Sequence, residues 1–249
     1  MTTSPPAAGT EEQSDNRWLS RLRWFGAEFL VVLTGVLVAL AINSWWETRR
    51  EHALEQSYLR RLEADLLADS VEFDRQISIE RSRGAQARLL IAALNGKTTS
   101  ADSLIRAIEQ VGWATAFSLS PYTFLELQST GNLRLIRSPA IRTAISTYYY
   151  QTINNQELLM DYARDRAWRY ATSTSHVLSP ELRVRISLEQ PIDTSSAALA
   201  LRRLATVPDV EGLISEVSVS TANLEWNYQN IRRVLEVALR RVRGAIRGV

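Results

Sequence analysis

Apolar residues follow three patterns along this chain, and each pattern predicts a different element. The first is an unbroken run, WFGAEFLVVLTGVLVALAINSWW, from Trp24 to Trp46. At 1.5 Å per residue it rises about 34 Å, enough for a hydrocarbon core of about 30 Å. Phe29 to Trp46 carries no charge, and Trp24 and Phe25 at one end face Trp45 and Trp46 at the other. Aromatic rings favour the headgroup level, so the run reads as a transmembrane helix over 24–46. Glu28 lies one turn inside Trp24, near the interface, where its carboxyl escapes the cost of about 2.5 kcal/mol or more at mid-membrane. A partner contact within the membrane is the other reading of Glu28. Gly35 and Ala39 form a small-xxx-small pair that lets two such helices approach closely.

The second pattern is periodic. From Glu47 to Asn95 there is no proline, and Tyr58, Leu62, Leu66, Phe73, Ile77, Gly84, Ala87, Ile91 and Leu94 recur mostly at separations of three, four or seven. This predicts a long helix with one buried stripe, stopped by Asn95-Gly96. The closing segment repeats the pattern without a break: Val210, Ile214, Val217, Thr221, Leu224, Tyr228, Ile231, Leu235, Ala238 and Val242. Alternating steps of four and three are the heptad spacing of helices packed side by side, as in a coiled coil.

The third pattern is shorter and punctuated. Thr99 with Asp102 resembles a capping box opening a helix to about Gly112. Ser120-Pro121 opens a helix that Gly131 closes, and Ser138-Pro139 opens one reaching about Thr174. Residues 176–193 hold Pro180, Pro191 and the alternating run LRVRISL, which reads as a short strand or an extended loop. A helix over about 194–206 leads through Pro208 into the last one. The predicted fold is all-α: an N-terminal transmembrane helix continuing into a long-helix antiparallel bundle, with an irregular or strand-like segment near 176–193. The domain reading is a disordered, basic tail over 1–23, the transmembrane helix over 24–46, and a helical extramembrane bundle over 47–249.

Composition narrows the function classes. The chain has no cysteine, so disulfides, thiolate metal sites and cysteine nucleophiles are excluded. Its two histidines, His52 and His176, leave little room for zinc or triad chemistry. Twenty-nine cations against 27 acids leave a net charge of +2, without the excess that a nucleic-acid binder shows. Phosphate loops, H-E-x-x-H, G-x-S-x-G and G-x-G-x-x-G are all missing from the sequence. The expectation is a protein with no catalytic, metal or cofactor residues, and not an enzyme.

The run FGAEFLVVLTGVLVALAINSWWETRREHALEQSYLRRLEADL carries the pattern E-x-L-V-V-x-x-G-x-L-x-A-L-x-I-N-x-W, followed by Y-L-x-x-L-x-x-D-L. With the block YTFLELQSTGNLRLIRSPAIRTAISTYY it resembles an uncharacterised family of bacterial single-pass membrane proteins. The resemblance covers about a third of the chain. It implies an uncleaved N-terminal anchor and a helical extramembrane domain, and it implies no activity.

A secretory signal is the competing reading of the anchor, with Arg17, Arg21 and Arg23 as its basic region and Ala39-Leu40-Ala41 as its cleavage site. The apolar run continues past that site into a tryptophan pair, which favours the anchor. Arginines flank both ends of the run and do not set its orientation. A short segment before a single anchor usually stays inside, which predicts the inner membrane with the N-terminus cytoplasmic and the bundle periplasmic.

Two surface hypotheses remain. Arg134, Arg137, Tyr148 and Trp168 are candidates for a pocket taking a small, anionic ligand, as in a membrane-tethered sensor. Arg232, Arg233, Arg240, Arg241, Arg243 and Arg247 crowd the last helix and are candidates for lipid contact. The leading expectation is a membrane-anchored interaction or scaffold protein whose partners are the lipid bilayer and a protein or second copy of itself, not nucleic acid.

Overall fold

Helix ends fall where capping chemistry places them. The computed structural model describes residues 2, 15–114 and 117–248, and their side chains except at 15–23, 25–27 and 155–159. Its helices are α1 (Asp15–Leu94), α2 (Ala101–Gln110), α3 (Tyr122–Ser129), α4 (Pro139–Ser173), α5 (Pro180–Ser187), α6 (Thr194–Ala205) and α7 (Val210–Arg247), with a 3₁₀ turn at Asn132–Leu135. The fold is all-α. α1 starts at Asp15, so the basic segment expected to belong to the tail has helical backbone from there on. Gly96 (φ 83°) ends α1 and Gly131 (φ 69°) follows α3, both in the left-handed region that costs glycine little. The α2 cap is Ser100 rather than Thr99: its side chain accepts from the Ser103 amide at 3.1 Å.

Residues 176–193 are a correction to the strand-like reading. Ser179 accepts from the Leu182 amide and Pro180 takes the first helical position, so LRVRISL coils into α5. A strand would have put Leu182, Val184, Ile186 and Leu188 on one face. The helix buries Ile186, half-buries Leu182, and leaves Val184 and Leu188 55% and 61% exposed. Alternation over so few residues does not outweigh a Ser-Pro helix start.

The chain forms two compact units, Met1–Leu54 and Glu55–Val249. The division falls eight residues beyond the expected one, because no side chain from Glu47 to Leu54 is buried. In the second unit, α1 contributes an unbroken heptad seam: Glu55, Leu59, Leu62, Leu66, Asp69, Phe73, Gln76, Glu80, Arg83, Ala87 and Leu90 are all buried. All ten positions expected on α7 are buried as well. Arg81 pairs with Glu225 (2.8 Å), Arg232 with Asp74 (2.8 Å) and Arg243 with Glu63 (2.7 Å). Each step down α1, of seven and then eleven residues, is matched by an equal step up α7, so the two run antiparallel in constant register. α7 also packs along α4, with Arg169 on Glu216 (2.9 Å) at one end and Arg241 on the Ala140 carbonyl (2.8 Å) at the other.

The core has two apolar clusters. One is built from Leu59 to Phe73 of α1, α3, the first half of α4 and the second half of α7. The other joins Ala87 to Ala93 of α1 with α2, Tyr170, α5, α6 and the first half of α7. Between them along α1 lie Gln76, Glu80 and Arg83, with Ser220 and Thr221 buried on α7. Arg83 bonds Glu80 at 2.9 Å and the Val111 carbonyl at 3.3 Å. Burial pushes the Glu80 carboxyl above its ordinary range, against the pull of Arg83.

Acids on α1 also hold the start of α3. Pro121 precedes α3 without offering a capping side chain. Instead the Asp69 carboxylate accepts from the Ser120 amide (2.7 Å) and Asp65 from the Thr123 amide (3.0 Å). Glu72 accepts from the Ser118 amide, and Glu55 from the Arg137 amide at 2.7 Å ahead of α4. Asp69 is fully buried and also accepts from the Tyr148 hydroxyl at 2.9 Å. Burial raises its pKa to about 6, with the charges of Asp65 and Glu72 adding to the rise and its two hydrogen bonds opposing it.

Two predictions follow from the seam. Folded Asp69 keeps its proton up to about pH 6, whereas the unfolded chain releases it near 3.8. Its contribution is therefore complete below pH 3.8 and is lost as pH rises through 6. Urea unfolding of the full chain in detergent, compared with Asp69→Asn, should show wild type losing about 3 kcal/mol relative to the variant between pH 3 and 7. A pH-independent difference would contradict the raised pKa. Second, Glu80→Ala should cost about 3–5 kcal/mol by stranding Arg83, and Glu80→Leu with Arg83→Met should recover most of it. Equal losses in both variants would refute the stranded-charge account.

Candidate functional site

α1 is the one helix among the described residues long and apolar enough to cross a membrane. None of its most apolar 18-residue window is buried. Trp24, Phe29 and Leu30 are exposed at its start, Trp45 and Trp46 at its end, and Glu28 and Ala39 lie exposed between them. The Phe25 side chain falls outside the described residues. Nothing lies within 4 Å of a Cβ built on Gly35, so that side of the helix has room for a close neighbour. The Thr34 hydroxyl donates to the Leu30 carbonyl at 2.7 Å, satisfying internally a donor that an apolar medium would not. Where the apolar run ends, Trp45, Trp46, Arg49, Arg50 and Ala53 line an open depression of about 550 Å³. The Arg49 guanidinium sits 5.5 Å from the centre of the Trp45 ring.

The four residues expected to line a ligand pocket are not brought together. Tyr148 is fully buried, and its hydroxyl donates to Asp69. Trp168 is 72% exposed on the same helix, α4. Twenty residues of helix separate them by about 30 Å, beyond the reach of one small ligand. Arg134 is exposed on the 3₁₀ turn, and Arg137 is an ion-pair partner of Glu55 at 3.6 Å. The aromatic residues instead form stacks in the core, Phe124 on Tyr149 at 4.9 Å and Phe117 on Tyr228 at 5.4 Å.

A smaller cleft of about 160 Å³ opens where α5 meets α6, lined by residues including Ser179, Glu181, Arg185, Asp193 and Arg203. Ligand pockets span about 300–1,000 Å³. Arg185 already reaches Glu181 (3.0 Å) and Asp193 (3.8 Å) across it. Hydrogen bonds from Ser195, Ser196 and the Ser196 amide hold Asp193 well below the usual carboxylate range, as the cap of α6. The cleft is smaller than that range, and its Arg185, Glu181 and Asp193 are already paired with one another. Among the described residues no three or more His, Asp or Glu side chains gather as a metal site.

The arginines of α7 divide into two groups. Arg232 and Arg243 pair with Asp74 and Glu63, and Arg233 bonds Asn230. Arg240, Arg241 and Arg247 are exposed, and Arg241 donates to the Ala140 carbonyl. Sequence reasoning missed Glu55, Asp65, Asp69 and Glu72 as the caps of α3 and α4. The available signal was Pro121, a helix start lacking a capping side chain of its own.

No family model matches the chain, and none of the curated proteins or solved structures compared with it matches either.

The contrast between the two aromatic positions is directly testable. Tyr148→Phe removes a bond to a buried carboxylate and should cost about 1.5–3 kcal/mol. Trp168→Ala, at an exposed position, should change stability by no more than about 0.5 kcal/mol. A larger loss at Trp168 than at Tyr148 in full-chain unfolding would overturn this placement.

Proposed function

We propose that the chain is a membrane-anchored helical interaction protein of the bacterial inner membrane, with no chemistry of its own. The observation that carries this reading is the apolar run of α1, exposed within the chain at every described side chain, Trp24 and Glu28 through Trp46. An apolar surface of that size on one helix needs a lipid or protein covering. The tryptophans at both ends and the internally bonded Thr34 hydroxyl suit a bilayer. The second unit contributes a core closed by ion pairs and stacked rings, which suits a rigid scaffold presenting its outer faces to a protein partner or a second copy. The resemblance to single-pass membrane proteins of bacteria supports the same reading. The proposed topology has the N-terminus in the cytoplasm and the bundle in the periplasm.

Two measurements test this. The full chain should stay with the membrane pellet through an alkaline carbonate wash, and release into the supernatant would overturn the anchor. A periplasm-active reporter fused after Val249 should be active and a cytoplasm-active one silent. The reverse result would overturn the topology and leave the anchor standing.

A further inference from the structure

Three segments of the second unit meet at the end where the chain enters it. Arg243 reaches Glu63 at 2.7 Å, Arg241 donates to the Ala140 carbonyl at 2.8 Å, and the Arg137 amide donates to Glu55 at 2.7 Å. Residues 55–63, 126–142 and 240–247 therefore form one surface. They contain nine arginines and three acids, Glu55, Glu63 and Glu126. Each acid already has its own arginine: Glu55 pairs with Arg137, Glu63 with Arg243 and Glu126 with Arg61. Six cations remain: Arg60, Arg134, Arg142, Arg240, Arg241 and Arg247. Arg142 and Arg241 bond backbone carbonyls, which leaves their charge uncompensated. The other four make no ion pair among the described residues. With a net charge of +2 for the whole chain, an end carrying +6 leaves the remainder at −4. The charge is thus strongly polarised within a nearly neutral protein.

We propose that this arginine-rich end docks on the acidic phospholipid headgroups of the bilayer that the apolar run enters, an inference that rests on the anchor reading above. Charge complementarity selects the occupant. Every cation in the cluster is an arginine, whose planar fork matches phosphate oxygens two at a time. The chain length makes the encounter local: eight residues lie between Trp46 and Glu55, and in any conformation the nine Cα steps reach no further than about 32 Å. A tether that short holds the basic end at a high effective concentration beside the headgroups. The site is distinct from the row of α7 arginines that the sequence suggests. Arg232 and Arg243 are committed to interhelical ion pairs and drop out, and Arg60, Arg134 and Arg142 join from other elements.

The chain has no cysteine, and a Cβ at Gly244 meets nothing within 4 Å. Gly244→Cys therefore carries a single environment-sensitive fluorophore at this end of the full chain. The protein is reconstituted into nanodiscs of phosphatidylcholine, alone or with about a third phosphatidylglycerol, doped with a headgroup spin-label quencher. The expected result is quenching in the acidic discs only, abolished near 1 M salt, where the screening length falls to about 3 Å. Combining Arg60→Gln, Arg134→Gln, Arg240→Gln and Arg247→Gln should lower the docking equilibrium constant at least about tenfold. An unchanged unfolding midpoint in that variant shows that the loss is not misfolding, and the corresponding Lys variants should retain most of the quenching. Equal quenching in both disc types, or an unaffected Gln variant, overturns the proposal. A fluorophore that responds to a mixed-sequence oligonucleotide instead of acidic discs also overturns it. If the chain fails to enter discs at all, the anchor reading falls first. A chain that enters discs but stays unquenched overturns this proposal alone.

Discussion

The bundle depends on a polar requirement set by α1. Its buried seam carries Glu55, Asp69, Gln76, Glu80 and Arg83 among the apolar residues. Each must find a partner or cost more than an apolar side chain would gain. Gln76 and Glu80 find theirs within α1, on Glu72 and Arg83, while Glu55, Asp69 and Arg83 draw on other segments: an amide of the α2–α3 connection, the amide ahead of α4, the Tyr148 hydroxyl and the Val111 carbonyl. The seam thereby dictates where the α2–α3 connection lies and which way α4 faces. Apolar packing against α7 is tolerant of sliding by a turn, whereas these bonds are not. They fix one placement of α3 and α4 on α1 among several that burial alone would permit, as the ion pairs of Arg81, Arg232 and Arg243 do for α7.

Much of this fold is legible in the sequence because the signals are local and strong. The stripe on α7 is apolar at nearly every heptad position, and its ten expected residues are all buried, with Ser220 and Leu239 beside them. Ser138-Pro139 and Asn95-Gly96 mark helix ends through backbone chemistry that tertiary context does not override. The stripe on α1 was harder. Tyr58, Ile77, Ile91 and Leu94 looked like its inner face, but they are only half-buried, at its edge. The true seam runs through five polar residues, and a reading by hydrophobicity steps around them. The strand-like reading of 182–188 failed for a related reason, since alternation there coexists with a helix start at Ser179-Pro180.

The candidate surfaces were less legible than the fold. The apolar run and its tryptophan ends are continuous in sequence and stand out without any knowledge of the structure. The grouping of Arg134, Arg137, Tyr148 and Trp168 relied on proximity in the chain, and helix geometry sends Tyr148 inward and Trp168 outward. The basic end had the opposite difficulty, because its arginines are scattered over nearly 190 residues. The contacts of Arg243, Arg241, Arg137 and Arg61 bring those segments together, and only the ion pairs show which charges are left over.

The constant register between α1 and α7 has a consequence for how the chain is made. The bonds that join them close loops of 144, 158 and 180 residues. Contacts that distant in sequence are slow to form, even between helices. During synthesis at about 5–20 residues per second, α1 leaves the ribosome well before α7 exists. For those seconds its seam of mixed apolar and charged side chains has no mate. The acids that later cap α3 and α4 are charged and hydrated in the interval, whereas a purely apolar stripe beside the exposed apolar run would invite association with another apolar surface. Asp69, whose charge is costly once the fold buries it, thus belongs to a solubilising edge while the chain is nascent.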